Sequence, residues 1–252
     1  MEMQEFPGVE GEVVKRALKR TERGRIKELP NPNLDPIAPE TYRKIFEKLV
    51  RPGDKIINVG AGFSVDVTGI FNGLNEEILE ACTKKNATLI VMDIDQKSLL
   101  THKDLKELTD NENLQVVRAN GLKMPIQDGS IGGIVSTNLI NCPEPERDLR
   151  KQASELFDEA ARVIRPGGFI VVSSFGYAAE GKDKEGKIIY NNRIKEKDLL
   201  TLDEIEKIIA SKGFSGITKL DVDREREEFL KENLLQNPTK EAGGFLAYKN
   251  KN

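Results

Sequence analysis

Two glycines one residue apart, Gly60 and Gly62, close a short apolar run, Lys55-Ile56-Ile57-Asn58-Val59, that starts after the turn signal Arg51-Pro52-Gly53. Without a β-carbon at those positions the backbone can turn sharply and come close to a ligand. A second apolar run, Ala87 to Met92, ends in Asp93. An acid closing the second strand of such a unit is placed to accept hydrogen bonds from ribose hydroxyls. A Gly-x-Gly alone is equally the exit of an ordinary strand; the acid that follows in the right order is what points to a bound nucleoside.

The acid comes 33 residues after Gly60 (93 minus 60), whereas a dinucleotide site places it roughly 20 residues on. The surplus is expected between Phe63 and Leu74, where Gly69, Asn72, Gly73 and Asn75 interrupt any long helix. Asn75 reads as the cap of a helix from Glu76 to about Lys85. A pyrophosphate would also call for a third glycine near position 65, and Val65 stands there instead.

The elements that must position these residues come from a chain of 252 residues with 39 basic and 42 acidic side chains, a net charge of -3. That length suits one large α/β domain with additions. The acidic balance argues against a nucleic-acid or anionic-membrane partner. Cys82 and Cys142 are too few for a disulfide framework, and no apolar run approaches a membrane span or follows a basic leader. The chain reads as cytoplasmic.

Residues 1–40 read as a helical and extended cap and linker, 41–252 as one domain, and 176–200 as a lid-like insertion in it. Val13 to Lys27 holds seven basic residues against the single acid Glu22; it is either a phosphate-facing helix or a solvated one, and the eight acids between Met1 and Glu40 favour the solvated reading. Pro30, Pro32, Pro36 and Pro39 then impose an extended path. Glu40 to Val50 is helical, with Tyr42, Ile45, Phe46 and Leu49 on one face. Beyond Asp93 a helix is predicted from Ser98 to Leu108 and a third strand from Asn113 to Ala119, closed by Asn120-Gly121. Ile131 to Thr137 reads as a fourth strand, Leu149 to Ile164 as a helix, Arg165 to Gly168 as a turn and Phe169 to Phe175 as a fifth strand. Thr201 to Lys212 is a capped helix. Phe214 to Val222 and Gly244 to Tyr248 complete the strands, with a charged helix from Arg224 to Leu235 between them. This rhythm predicts a parallel sheet with helices on both faces and its ligand at the carboxyl ends of the strands. Gly60, Asp93 and Asn120 then lie side by side on one rim.

The run Glu159-Ala160-Ala161-Arg162-Val163-Ile164-Arg165-Pro166-Gly167-Gly168-Phe169-Ile170-Val171-Val172 resembles the helix, Pro-Gly-Gly turn and strand of class I S-adenosylmethionine-dependent methyltransferases. The resemblance covers roughly positions 40 to 175 in four motifs in family order. Asn58-Val59-Gly60-Ala61-Gly62 is similar to the acidic-x-Gly-x-Gly loop that holds the methionine part of the cofactor. Asp93 matches the ribose-binding acid, with Ile94 positioned to pack on adenine. Asn120-Gly121, followed by Met124-Pro125, resembles the segment that faces the adenine edge, and the Pro-Gly-Gly turn is the fourth.

The resemblance implies a Rossmann-like class I methyltransferase fold with a mostly parallel seven-stranded sheet, S-adenosyl-L-methionine as cofactor, and methyl transfer. It implies Asn58, Gly60, Ala61, Gly62, Asp93, Ile94, Asn120, Gly121 and Asn138 as cofactor residues. Asn138 leaves the fourth strand beside the expected methyl position, as do Asn141 and Cys142. Asn58 departs from the family's acid, and Asp54, Asp66 or the linker are open as sources of the missing charge. Ser64 replaces a frequent third glycine. Asn120 replaces an Asp, and an amide that both donates and accepts suits adenine. Ile131-Gly132 replaces a common Phe-Asp, a change read as structural.

A sulfonium methyl needs no metal and no covalent enzyme intermediate, because its leaving group departs neutral, so placement can supply most of the catalysis. The loop after the fourth strand carries neither Asn-Pro-Pro-Tyr nor His-His, and no general base is named. His102, the single histidine, reads as a surface residue, and Cys142, with no histidine nearby in sequence, as a structural thiol. Tyr177 either lines the acceptor pocket or faces water. A small-molecule acceptor leads. A protein or RNA acceptor, a nicotinamide-dependent oxidoreductase (opposed by Val65 and the Pro-Gly-Gly turn) and a non-catalytic S-adenosylmethionine-binding protein stay open beside it.

Overall fold

The computed structural model describes residues 37–61, 73–96, 99, 112–137, 139–140, 148–174, 179–182, 188–190, 200–222 and 243–251. Seven strands form one sheet: β1 (Lys55–Val59), β2 (Thr88–Asp93), β3 (Leu114–Arg118), β4 (Ile131–Thr137), β5 (Ile164–Ser174), β8 (Phe214–Leu220) and β9 (Gly243–Lys249). Their order is β3-β2-β1-β4-β5-β9-β8. β1 to β5 run parallel, and β9 is antiparallel to both β5 and β8. The strand order reverses between β1 and β4, which is where ligands of open α/β sheets bind. This is the Rossmann-like, mostly parallel seven-stranded sheet that the sequence predicts.

Strand alternation splits the core into two layers. Ile57 and Val59 point into one layer, with Leu156 and Phe157 of α3 (Leu149–Val163) and Ile205 and Ile209 of α4 (Leu202–Ser211). Ile56 points into the other, with Tyr42 and Phe46 of α1 (Pro39–Leu49) and Ile78 and Cys82 of α2 (Gly73–Lys84). Helices therefore cover both faces. The Phe46 ring meets Phe169 of β5 edge-on, with centroids 5.5 Å apart. β1, β2 and β4 are almost continuously apolar because both of their faces are buried.

Local signals explain the helix ends. α1 starts on a proline, whose fixed φ suits the first helical turn. The Asp148 side chain caps α3 by accepting from the Lys151 N–H at 2.9 Å. Thr201 and Glu204 form a reciprocal capping box on α4.

Three boundaries differ from the sequence prediction. Asn75 does not cap a helix: α2 begins at Gly73 and holds Asn75 in its first turn, with the side chain buried. α3 ends at Val163, and Ile164 already pairs with Ile131, so the Arg165 to Gly168 segment bulges out of β5 instead of preceding it; the register resumes at Gly133 and Phe169. Within the stretch read as a loop after residue 176, β6 (Ala179–Lys182) and β7 (Ile188–Tyr190) form a separate antiparallel ribbon. The predicted helix at 98–108, apart from Leu99, the predicted helix at 224–235 and residues 1–36 lie outside the described residues. No helix among the described residues is long and apolar enough to cross a membrane.

Candidate functional site

The described residues among those predicted for the site lie at or near the carboxyl ends of β3, β2 and β1. At the end of β1 the chain turns through Gly60 in the left-handed region (φ +66°). The Gly60 and Ala61 N–H groups donate to the Met92 carbonyl of β2 at 2.8 and 3.3 Å. A β-carbon on Gly60 would lie 2.9 Å from both δ-carbons of Leu139, which follows β4. Glycine is therefore required twice here, for the turn and for the side chain packed on it. Gly62 lies outside the described residues.

Asp93 ends β2, and its Oδ1 accepts the Asp95 N–H at 2.8 Å, an Asx turn that fixes the carboxylate at the rim. Ile94 is 56% exposed and is the exposed large apolar side chain among the described residues. Arg118, paired across from Asp93 at the end of β3, donates from Nε to the Ile94 carbonyl at 3.2 Å. Beside it, Asn120 Oδ1 accepts the Leu122 N–H at 2.8 Å. Gly121 lies so close to β1 that an added β-carbon would sit 2.4 Å from Val59 Cγ1. Strand pairing thus brings Gly60, Asp93 and Asn120 together on adjacent strands, as the sequence predicts.

Asn58 is different in kind. It is 1% exposed, and its Nδ2 donates to Asn75 Oδ1 of α2 at 2.6 Å. Its Oδ1 has no partner among the described residues. The amide is therefore held on one side and unsatisfied on the other. Asp54 does not supply the charge that Asn58 lacks. It stands before β1, at the opposite end of the strand, roughly 20 Å from Gly60 at about 3.3 Å per residue. There it pairs with Arg165 at 3.1 Å and accepts the Arg51 N–H. A β-carbon on Gly132 would come within 2.5 Å of that carboxyl carbon, which explains the glycine after Ile131.

The loop that carries Asn120 and Gly121 is held from behind by α3. Glu159 Oε1 accepts the Met124 N–H at 2.5 Å, and Arg162 donates to the Met124 and Ile126 carbonyls at 3.0 and 2.8 Å. Arg162 also pairs with Glu159 and Asp128. The Arg162 guanidinium holds the Glu159 carboxyl below its ordinary range. Composition gave no hint of this clamp; the i, i+3 spacing of Glu159 and Arg162 was its one sequence signal. Cys82 is buried in the other layer, and desolvation, with Asp54 nearby, pushes its thiol up to about 12. Asn138, Asn141, Cys142, Asp66, His102 and Tyr177 lie outside the described residues.

Residues 69–172 match the family described as methyltransferase domain. The match begins beyond Gly60 and takes in β2 to β4, α3 and most of β5. No curated protein matches the chain. The fold is similar to phosphoethanolamine N-methyltransferase 2 of Haemonchus contortus, solved with phosphomonomethylethanolamine and S-adenosylhomocysteine, at TM-score 0.60 and 13% identity; the alignment covers 84% of this chain and 53% of that one. This chain thus spans about half the length of the nematode enzyme. It is also similar to an S-adenosylmethionine-dependent methyltransferase of Aquifex aeolicus, at TM-score 0.52 and 14% identity over 92% of this chain and 96% of that one. The [4+2]-cyclase SpnF matches at TM-score 0.55 and 10% identity, over 84% and 80%. The strand order and the match of residues 69–172 to a methyltransferase domain are thus both consistent with the class I S-adenosylmethionine-dependent methyltransferases that the sequence motifs resemble.

Proposed function

We propose that this chain binds S-adenosyl-L-methionine along the rim from β3 to β4 and transfers its methyl group to a small-molecule acceptor. The observation that carries the reading is Ile94, an exposed large apolar side chain directly after the half-buried Asp93. A solvated isoleucine beside a fixed carboxylate suits a flat apolar ring bonded to a diol. The residues present fit the cofactor in a second respect, since the unpartnered Asn58 Oδ1 is the acceptor that a ligand ammonium would need.

In this reading Asp93 accepts from the ribose hydroxyls, Ile94 covers one adenine face, and Asn120 with the Gly121 N–H reads the adenine edge. Asn58, Gly60, Ala61 and Gly62 border the methionine end, and Asn138 lies nearest the methyl. The cofactor, when bound, supplies a methyl group on a positively charged sulfur. The chain's part is to hold that methyl in line with an acceptor and keep water out, an alignment worth on the order of 7–11 kcal/mol when the geometry is close to attack.

The acceptor would lie over the ends of β4 and β5. Thr137 is in register with Ser173 there, and Ser173 and Ser174 are in register with Gly244 and Gly243 of β9. The net charge of -3 suits a small molecule better than a nucleic acid as the acceptor. The nematode enzyme, solved with a small phosphorylated amine, supports the same class of acceptor. The similar cyclase fold means that cofactor binding and methyl transfer need separate measurements. Calorimetry with S-adenosylhomocysteine should show one site on the full chain. Labelled methyl from S-adenosylmethionine, incubated with a size-fractionated cell extract, should then appear in the small-molecule fraction. Label in protein or RNA would move the acceptor to that class, and binding without transfer would leave a cofactor-binding protein.

A further inference from the structure

Asn58 and Asn75 stand 17 residues apart in sequence and bury their side chains against each other, at 1% and 2% exposure. An amide carries one acceptor oxygen and one two-hydrogen donor. Here one bond uses Asn58 Nδ2 and Asn75 Oδ1, and leaves Asn58 Oδ1 and Asn75 Nδ2 without a partner among the described residues. The remainder is one acceptor and one donor, both buried, on two side chains bonded to each other, with Asn58 two residues before the turn at Gly60. Nothing in the packing calls for it. Two apolar side chains would fill the same space between β1 and α2 without stranding polar groups, which are costly to bury unpaired.

The bond also sets a direction. With Nδ2 taken by Asn75, Asn58 presents its oxygen, the atom that an ammonium can donate to. Rotated by half a turn, the same amide would offer hydrogens to a cation. We propose that Asn75 belongs to the cofactor site, where its Oδ1 fixes the orientation of Asn58 and its Nδ2 supplies the neighbouring donor. The pair then takes the ammonium and carboxylate of an α-amino acid head as one acceptor and one donor. In a family whose usual residue at Asn58 is an acid, this is a neutral way of reading the same charged group. The inference rests on the proposed cofactor site and adds a residue, on α2, that no sequence motif marks.

The test uses two probes on the full chain, S-adenosylhomocysteine and 5′-methylthioadenosine, which share the adenosine and differ in the amino acid head. Asn75→Leu and Asn75→Ala each remove both amide atoms; the alanine variant suits the helix if leucine does not fit. Expected is a loss on the order of tenfold in affinity for S-adenosylhomocysteine, the scale of a hydrogen bond to a charged group, with methylthioadenosine affinity unchanged. A loss shared equally by the two ligands would make Asn75 a packing residue and overturn the proposal, as would unchanged affinity for S-adenosylhomocysteine. A native chain that binds neither ligand would instead remove the cofactor site itself.

Discussion

Asp93 has two duties, because one oxygen holds the Asp95 N–H while the carboxylate is offered at the rim. Replacing it by alanine removes both, and replacing it by asparagine keeps an acceptor for the turn but removes the charge. Asp93→Ala should therefore lose about 1.5–3 kcal/mol of S-adenosylhomocysteine affinity, with Asp93→Asn between it and the native chain in calorimetry. Affinity unchanged in both would move the ribose elsewhere. Gly60 makes a different kind of claim, one about the fold itself. An alanine there adopts left-handed φ at a cost of roughly 1–2 kcal/mol, and also meets Leu139. Gly60→Ala should lower the unfolding free energy measured in urea by at least that much, and an unchanged value would refute the steric account.

At the scale of elements, α3 is a support as well as a cover. Arg162 and Glu159 pin the main chain of Met124 and Ile126, so the position of the Asn120-Gly121 segment depends on a helix more than 30 residues further along the chain. Glu159 has its folded pKa lowered, first by the Arg162 guanidinium. A carboxylate of this kind binds fewer protons when folded. Its contribution is fully present above the unfolded pKa, near 4.3, and is lost as pH falls through the lower folded value. Glu159→Gln should therefore flatten the acid limb of the stability curve below about pH 4.5, measured by urea unfolding across pH. An acid limb as steep as the native one would show that Glu159 is not a source of it.

These elements were unequally legible in the sequence. β1, β2 and β4 could be read almost to the residue, because strands buried on both faces are continuous apolar runs and the glycine and acid that end them are chemically conspicuous. The Asn58–Asn75 pair could not, since it depends on which way α2 is turned, and asparagine near a helix start ordinarily signals a cap. Asp54 was similarly ambiguous. Its role at the far end of β1 is set by Arg165, 111 residues away, which no local pattern connects to it. The bulge at Arg165 to Gly168 looked like a turn between elements because the pairing of Ile164 with Ile131 belongs to the sheet and has no local signature.

At the scale of the molecule, one sheet is shared by two buried layers, so neither layer can open without exposing β1 and β4 to water on that face. Cys82 reports on this coupling. It sits in α2 at 0% exposure, within the layer formed with α1, and its thiol is pushed up to about 12 by burial. Only the thiolate attacks a disulfide reagent, so in the folded state Cys82 is both unreachable and protonated. Cys142 is the other cysteine of the chain, and a Cys142→Ser background isolates Cys82. If α1, α2 and the sheet open together, modification of Cys82 by an aromatic disulfide should be slower than in urea by a factor on the order of 10³ or more. Its rate should also rise with denaturant along the slope of global unfolding. A shallow slope with fast modification would mean that α2 separates from β1 by itself. The support that Asn75 gives Asn58 would then be intermittent, and cofactor affinity should weaken in the same conditions that expose the thiol.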